Sequence, residues 1–360
     1  MQASLGSART RAPAAAARGA PASGARLGVS ARAYIDSERR SQASPSPSGF
    51  KNQLEALRSM SVVVADTGEP ALVKTYRPVD CTTNPSLVYK AVQQPEYARF
   101  LTDALAARGK GHGDAAHPFA GVADALSVNI GAEMLKLVPG RVSTEVDARL
   151  SFDTRATYDK ALRLLELYSK KGIEPERVYI KIASTWQGIE ACRRLQRQGV
   201  DCNMTLLFSF GQAAACADAG AALISPFVGR ILDWHKAREG RDYAPHEDPG
   251  AHAYPTVVMA ASFRNAGEIR ELAGCDKITI APALLAELEA CKDPLPRALS
   301  PAAAAAACGD ARLPAFDGAR FGALHGGDPM AVDKLAQGIE GFAADQEKLE
   351  AQLAALAAKA

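Results

Sequence analysis

The sequence has no run long and apolar enough to span a membrane. Its most apolar region, Met204 to Gly229, is broken by Gln212, Asp218, Gly220 and Pro226 and reads as strand, helix, strand. No CxxC pair occurs, and the seven cysteines at 81, 192, 202, 216, 275, 291 and 308 are odd in number and scattered. That argues against a disulfide framework or a zinc ribbon and for a reducing compartment. Neither sign of charge dominates, with 42 Lys and Arg against 40 Asp and Glu, which leaves no reason to expect nucleic acid or a membrane surface as partner. There is no P-loop and no nucleophile elbow. Gly109, Gly111 and Gly113 follow no strand and read as a linker rather than a nucleotide loop. His246, Glu247, Asp248 and His252 match no zinc spacing.

The first 35 residues lack lysine and acid altogether, yet carry Arg9, Arg11, Arg18, Arg26 and Arg32 among many Ala and Ser. This is the makeup of an organelle transit peptide, with a plastid as destination and a mitochondrion as the alternative. The bland alternative is a disordered tail without an address. Such a segment cannot bury a core. A cut near Ala31 to Ala33 and a linker over SQASPSPSG (41–49) leave residues 50–360 as one domain.

That domain alternates short apolar runs with amphipathic stretches. The runs rich in β-branched residues predict strands at Val62–Asp66, Asp80–Asn84, Val142–Asp147, Val178–Ala183, Cys202–Phe208, Ala222–Val228, Thr256–Ala261 and Lys277–Ala281. Helical patterns fall between them at Pro85–Gln94, Ala123–Leu137, Arg155–Lys171, Trp186–Gln198, Gly211–Ala219, Ile231–Glu239 and Ala266–Ala273. Several of these stop at a glycine, and a long closing helix covers 328–358. Strand followed by helix, eight times over, predicts an α/β fold, a parallel (β/α)8 TIM barrel with an extra C-terminal helix, ahead of an open doubly wound sheet. The crossover between the sixth and seventh strands reads as shortened, because RDYAPHEDPGAHAYP has three prolines and no helical period.

Isolated polar residues inside these apolar strands carry the chemical signal. Lys181 lies in VYIKIAS between Ile180 and Ile182. A lysine buried in apolar surroundings is driven towards its neutral form, a nucleophile able to make a Schiff base with a carbonyl. The bland readings are a snorkelling side chain or a carboxylate pair. Lys181 has company, however. Asp66 ends VVVAD, Asn84 ends DCTTN, Glu145 lies in VSTEVD, Asn203 and Thr205 share a face of CNMTLL, and Ser225 lies in LISPF. One polar group near the C-terminal end of many strands is how this fold assembles an active site. Arg230 and Arg264, near Ser225 and Ser262, have the makeup of a dianion clamp suited to phosphate, unless each is a surface ion pair. Cys81 beside them reads as a small core residue before a redox handle.

Taken in order, VVADTG (63–68), TTNPSL (82–87), VSTEVDARLSFDT (142–154), IKIASTWQGI (180–189), LISPFVGRILDW (223–234), SFRN (262–265) and DPMAVDKL (328–335) resemble the transaldolase family from about Phe50 to the C-terminus. The resemblance implies no cofactor, no metal and sugar-phosphate partners, and it suggests a homodimer. The reaction it implies is transfer of a dihydroxyacetone unit between ketose and aldose phosphates. It implies that Lys181 forms the Schiff base, Asp66 is the acid/base at the C4 hydroxyl, and Glu145 with Thr205 holds a proton-shuttling water. Asn84, Asn203 and Phe227 fall at the substrate, and Ser225, Arg230, Ser262 and Arg264 at the phosphate. Two other readings stay open. One is a fructose 6-phosphate aldolase, disfavoured by Glu145 with Thr205. The other is a non-catalytic sugar-phosphate-binding barrel, should the shortened crossover disable the site.

Overall fold

The computed structural model describes residues 49–106, 116–240, 257–302 and 315–359. The arginine-rich arm, the glycines at 109–113, the His246–His252 cluster and the proline-rich crossover segment lie outside them.

Eight strands form one parallel sheet: β1 Val62–Asp66, β2 Asp80–Thr82, β3 Val142–Glu145, β4 Val178–Ala183, β5 Cys202–Leu207, β6 Leu223–Pro226, β7 Met259–Ala260 and β8 Lys277–Ile280. Their order runs β6-β5-β4-β3-β2-β1-β8-β7. Bridges from Ile224 to Val258 and from Phe227 to Ala261 join the two ends into a barrel.

The helices are α1 Gln53–Arg58, α2 Pro70–Tyr76, α3 Pro85–Ala91, α4 Ala98–Ala106, α5 Ala120–Leu135, α6 Thr154–Ser169, α7 Trp186–Arg197, α8 Phe210–Asp218, α9 Val228–Glu239, α10 Ala266–Glu271, α11 Pro282–Ala290, α12 Gly318–Gly326 and α13 Pro329–Ala357. The connection from β6 to β7 therefore does hold a helix, and α9 starts three residues earlier than the periodicity of Ile231–Glu239 suggests. Several helices start directly after a strand because a polar residue there caps them. Asn84, Thr185, Ser209 and Asn265 each accept a hydrogen bond from a backbone N–H of the first turn.

Strand alternation divides the barrel into two compartments. Val63, Ala65, Cys81, Val142, Ile180, Ile182, Cys202, Met204, Ile224, Val258, Ala260, Ile278 and Ile280 belong to the main core beneath the helices. Cys81 is fully buried there and burial pushes its thiol up, so it is a core residue. Their neighbours along each strand belong to the barrel interior. At its floor, Val62, Val64, Tyr179, Leu223 and Met259 form a separate apolar cluster. Through this floor runs a buried ionic chain. Lys277 Nζ lies 2.7 Å from Asp80 Oδ2, and the Arg141 backbone N–H donates to Asp80 Oδ1 at 2.7 Å. The Arg141 guanidinium stacks over Tyr179 at 4.5 Å and pairs with Asp201.

Helix α13 crosses the opposite end. Its residues Met330, Ala331, Leu335, Ile339 and Phe342 cluster with Ala183, Leu206, Phe208, Phe227 and Ala261, which stand at or just past the C-terminal ends of β4 to β7.

Candidate active site

Strand register sets the geometry of the site. Glu145 of β3 pairs with Lys181 of β4, Lys181 pairs with Asn203 of β5, and Ala183 pairs with Thr205. Partners in a parallel ladder point the same way, so a carboxylate, an amine and an amide stand level on three adjacent strands. Lys181 Nζ lies 3.0 Å from Glu145 Oε2, with both side chains nearly fully buried, and donates to the Thr83 carbonyl at 3.1 Å. The two side chains form a buried ion pair, and the buried hydroxyl of Thr205 has no hydrogen-bond partner among the described residues.

Lys181 is therefore paired with a carboxylate, and it also lines a cavity. Burial pushes the Glu145 carboxyl above the usual carboxylate range, with Lys181 pulling against it.

Asp66 closes β1 on the same cavity and accepts from Thr82 Oγ1 at 2.8 Å. That hydroxyl also meets Thr279 Oγ1 at 2.7 Å. Burial raises the Asp66 carboxyl above its ordinary value, while Lys181, the Thr82 hydroxyl and Arg230 oppose the rise. Asn203 donates to Ser143 Oγ at 3.1 Å and accepts from Ser225 Oγ at 2.6 Å. Ser225 is thereby tied to the amide on the barrel's inner wall, and it lines the same cavity as Arg230 and Ser262. Asn84 caps α3, accepting from the Leu87 N–H at 2.9 Å, and also lines the cavity.

The cavity measures about 170 Å³ and is walled by Asp66, Lys181, Ser225, Arg230, Ser262 and Phe342 among others. Arg230, at the third residue of α9, has rings on two sides, Phe227 at 5.2 Å and Phe342 at 5.6 Å. It has neither a carboxylate partner nor a hydrogen-bond acceptor among the described residues. Burial and the nearby charge of Arg264 lower its affinity for its proton. An uncompensated guanidinium of this kind is a vacancy of negative charge that an anionic substrate group fills. Gly229 makes room for it. A Cβ there would lie 2.3 Å from the Ser262 carbonyl oxygen and 3.2 Å from Arg264 N, so only glycine lets α9 approach this turn. Ser262 itself adopts φ +62°, a conformation disfavoured for any residue with a side chain and often kept at functional sites. Arg264 stands at the rim. Its Nε and Nη2 pair with Asp233 Oδ2 at 2.9 and 2.8 Å, and its backbone N–H donates to Glu268.

Sequence reading passed over Thr82, Thr279, Ser86 and Phe342, all of which line the cavity. Thr82 had a usable signal, since it precedes Asn84 by two in one strand and so shares its face. Phe342 had none, because an aromatic in a helical stripe reads as core.

The arrangement combines a buried amine–carboxylate pair, a second carboxylate whose proton affinity is raised, and a cationic end. That suits imine chemistry on a carbonyl compound with an anionic tail. Comparison with known proteins agrees. Residues 63–353 match the family Transaldolase/Fructose-6-phosphate aldolase. The chain is 53% identical over 318 residues to the transaldolase of Edwardsiella ictaluri, covering 85% of this chain and 99% of that protein. It is 54% identical over 316 residues to the transaldolase of Actinobacillus pleuropneumoniae serotype 3, covering 84% and 99%. Transaldolase A of Pasteurella multocida is 54% identical over 314 residues, covering 84% and 98%. The chain belongs to the transaldolase/fructose-6-phosphate aldolase family and, within it, to the transaldolases.

Proposed function

We propose that this enzyme moves a dihydroxyacetone unit from sedoheptulose 7-phosphate or fructose 6-phosphate to glyceraldehyde 3-phosphate or erythrose 4-phosphate, through an imine on Lys181. The observation that carries this reading is Lys181, buried 3.0 Å from Glu145 and lining a cavity together with Asp66 and an unpaired Arg230.

Glu145 accepts the ammonium proton, and the freed amine adds to the ketone. Water leaves as the imine forms, with a bridging water between Glu145 and Thr205 carrying protons. The buried Thr205 hydroxyl, which has no hydrogen-bond partner among the described residues, supports such a water. Asp66 then removes the proton of the C4 hydroxyl. The C3–C4 electron pair flows into the iminium to give an enamine, and the aldose phosphate departs. Asn203, braced by Ser143 and Ser225, and Asn84 hold the three carbons that remain. Arg230 with Ser262, and Arg264 at the rim, hold the phosphate, so binding far from the scissile bond aligns it.

Both working carboxylates have raised proton affinity, so each holds its proton to a higher pH than a free carboxylate does. The basic form that Asp66 needs is therefore lost as pH falls, earlier than for an ordinary aspartate. In a coupled assay with fructose 6-phosphate and erythrose 4-phosphate, sedoheptulose 7-phosphate forms, and the acid limb of kcat/KM lies above about 4, the ordinary carboxylate region. Release of free dihydroxyacetone as the main product, or a limb at or below that value, contradicts the assignment.

The arginine-rich, acid-free arm supports import into plastids, with mitochondria as the alternative. A fluorescent protein fused to residues 1–50 should enter the organelle, and diffuse cytosolic signal would rule the address out.

A further inference from the structure

The other cavity-lining groups discussed so far belong to the barrel strands or to the loops and first helical turns that follow them. Phe342 does not. It is carried by α13, yet it is 4% exposed and faces the same cavity as Lys181, Asp66 and Ser225. Its ring centroid lies 5.9 Å from Lys181 Nζ and 5.6 Å from the Arg230 guanidinium carbon, so one ring is near both cations.

The helix that presents this ring is fixed along its length. Gly338, one turn before Phe342, seats it closely. A Cβ at that position would lie 2.6 Å from Leu206 Cδ2 and 3.3 Å from Arg230 Nη1. Trp234 Nε1 donates to Asp333 at 3.0 Å, Ser86 donates to Asp345, Arg149 pairs with Glu350, and Gln93 donates to Gln352 at 2.7 Å. A side chain held this firmly over a polar cavity excludes water from the part of it beside Lys181.

We infer that Phe342 is a specificity-determining residue: it keeps water from the lysine-bound three-carbon unit, so that the unit waits for an aldehyde instead of being released. This rests on the imine reading of Lys181. The competing step is simple to balance. The enamine carbon takes a proton and becomes the iminium carbon's saturated neighbour again. Water adds to the iminium carbon, the C–N bond breaks, and dihydroxyacetone leaves while Lys181 regains its amine. No redox partner is required. Removing the ring opens room for several waters at about 30 Å³ each beside that carbon and withdraws the cation–π support of the iminium.

The test is the partition ratio, free dihydroxyacetone released per unit transferred, measured with fructose 6-phosphate and erythrose 4-phosphate. A ratio is independent of the fraction of active enzyme and separates this role from mere packing. Phe342→Ala should raise the ratio at least about tenfold, and Phe342→Leu, which keeps bulk in the cluster, should raise it less; the leucine variant decides the matter if the alanine variant does not fold. A ratio equal to that of the unsubstituted enzyme, with total turnover merely reduced, overturns the inference. Borohydride trapping on the unsubstituted enzyme runs alongside. Absence of a lysine adduct there refutes the imine reading itself, whereas an adduct with an unchanged ratio refutes only the part assigned to Phe342.

Discussion

Replacing Lys181 by methionine should lower transaldolase turnover on the order of 10⁴-fold or more, the scale of losing a covalent nucleophile, while the protein stays folded. Methionine has similar length and no charge, so β4 keeps its fully buried pattern. The partner left behind is not stranded as a buried anion. Burial already raises the Glu145 carboxyl and Lys181 is the first influence opposing it, so without the lysine Glu145 takes up a proton and becomes neutral. Arginine at 181 keeps the cation for Glu145 but cannot surrender its proton, and so should be equally inactive. Measured rates close to those of the unsubstituted enzyme in either variant would remove the imine from the mechanism.

The floor of the barrel behaves differently. Lys277→Met should destabilise the fold by about 3–5 kcal/mol, because it leaves Asp80 as a buried charge without its ammonium. For a domain of this size that corresponds to a fall in Tm of roughly 10 °C. The pair cannot rearrange to avoid the loss. Asp80 is held by the Arg141 backbone N–H, and a Cβ on Gly140 would lie 1.9 Å from its Oδ1, so the carboxylate is confined. Removing both charges with Asp80→Leu in the same chain should recover much of the stability, since the site then lies among Val62, Val64, Leu223 and Met259. Thermal unfolding of the two variants checks this. A single variant as stable as the parent would show that water reaches the floor and that the chain of charges is solvated. Residual enzyme from the single variant should retain ordinary kcat, as neither Lys277 nor Asp80 lines the cavity.

How far the fold was legible follows from which physical signals are local. Runs such as VVVAD and VYIKIA announce strands because both faces of a barrel strand are buried and β-branched residues suit them. The observed strands fall within the expected bounds, six of the eight ending one or two residues sooner, where in β2 the chain turns to capping the next helix through Asn84. The long amphipathic helices α6, α7 and α13 were equally plain. Short helices such as α1, α2, α4, α11 and α12 were not, since one or two turns give too little period to distinguish from a loop.

Site residues stood out as single polar groups in apolar strands, which is why Asp66, Glu145, Lys181, Asn203, Thr205 and Ser225 could be named. Their pairings could not be. That Glu145 faces Lys181 depends on strand register, which arises from the packing of the whole barrel. The same holds for Lys277 with Asp80, 197 residues apart and each at the start of a strand, and for Phe342, which reaches the cavity only because a C-terminal helix folds back across the mouth.

The most direct test of the central claim is chemical. The enzyme is incubated with fructose 6-phosphate, reduced with borohydride, digested, and the modified residue is mapped by mass spectrometry. A reduced three-carbon adduct on Lys181 is the predicted result. No adduct, or one confined to another lysine, would contradict the account.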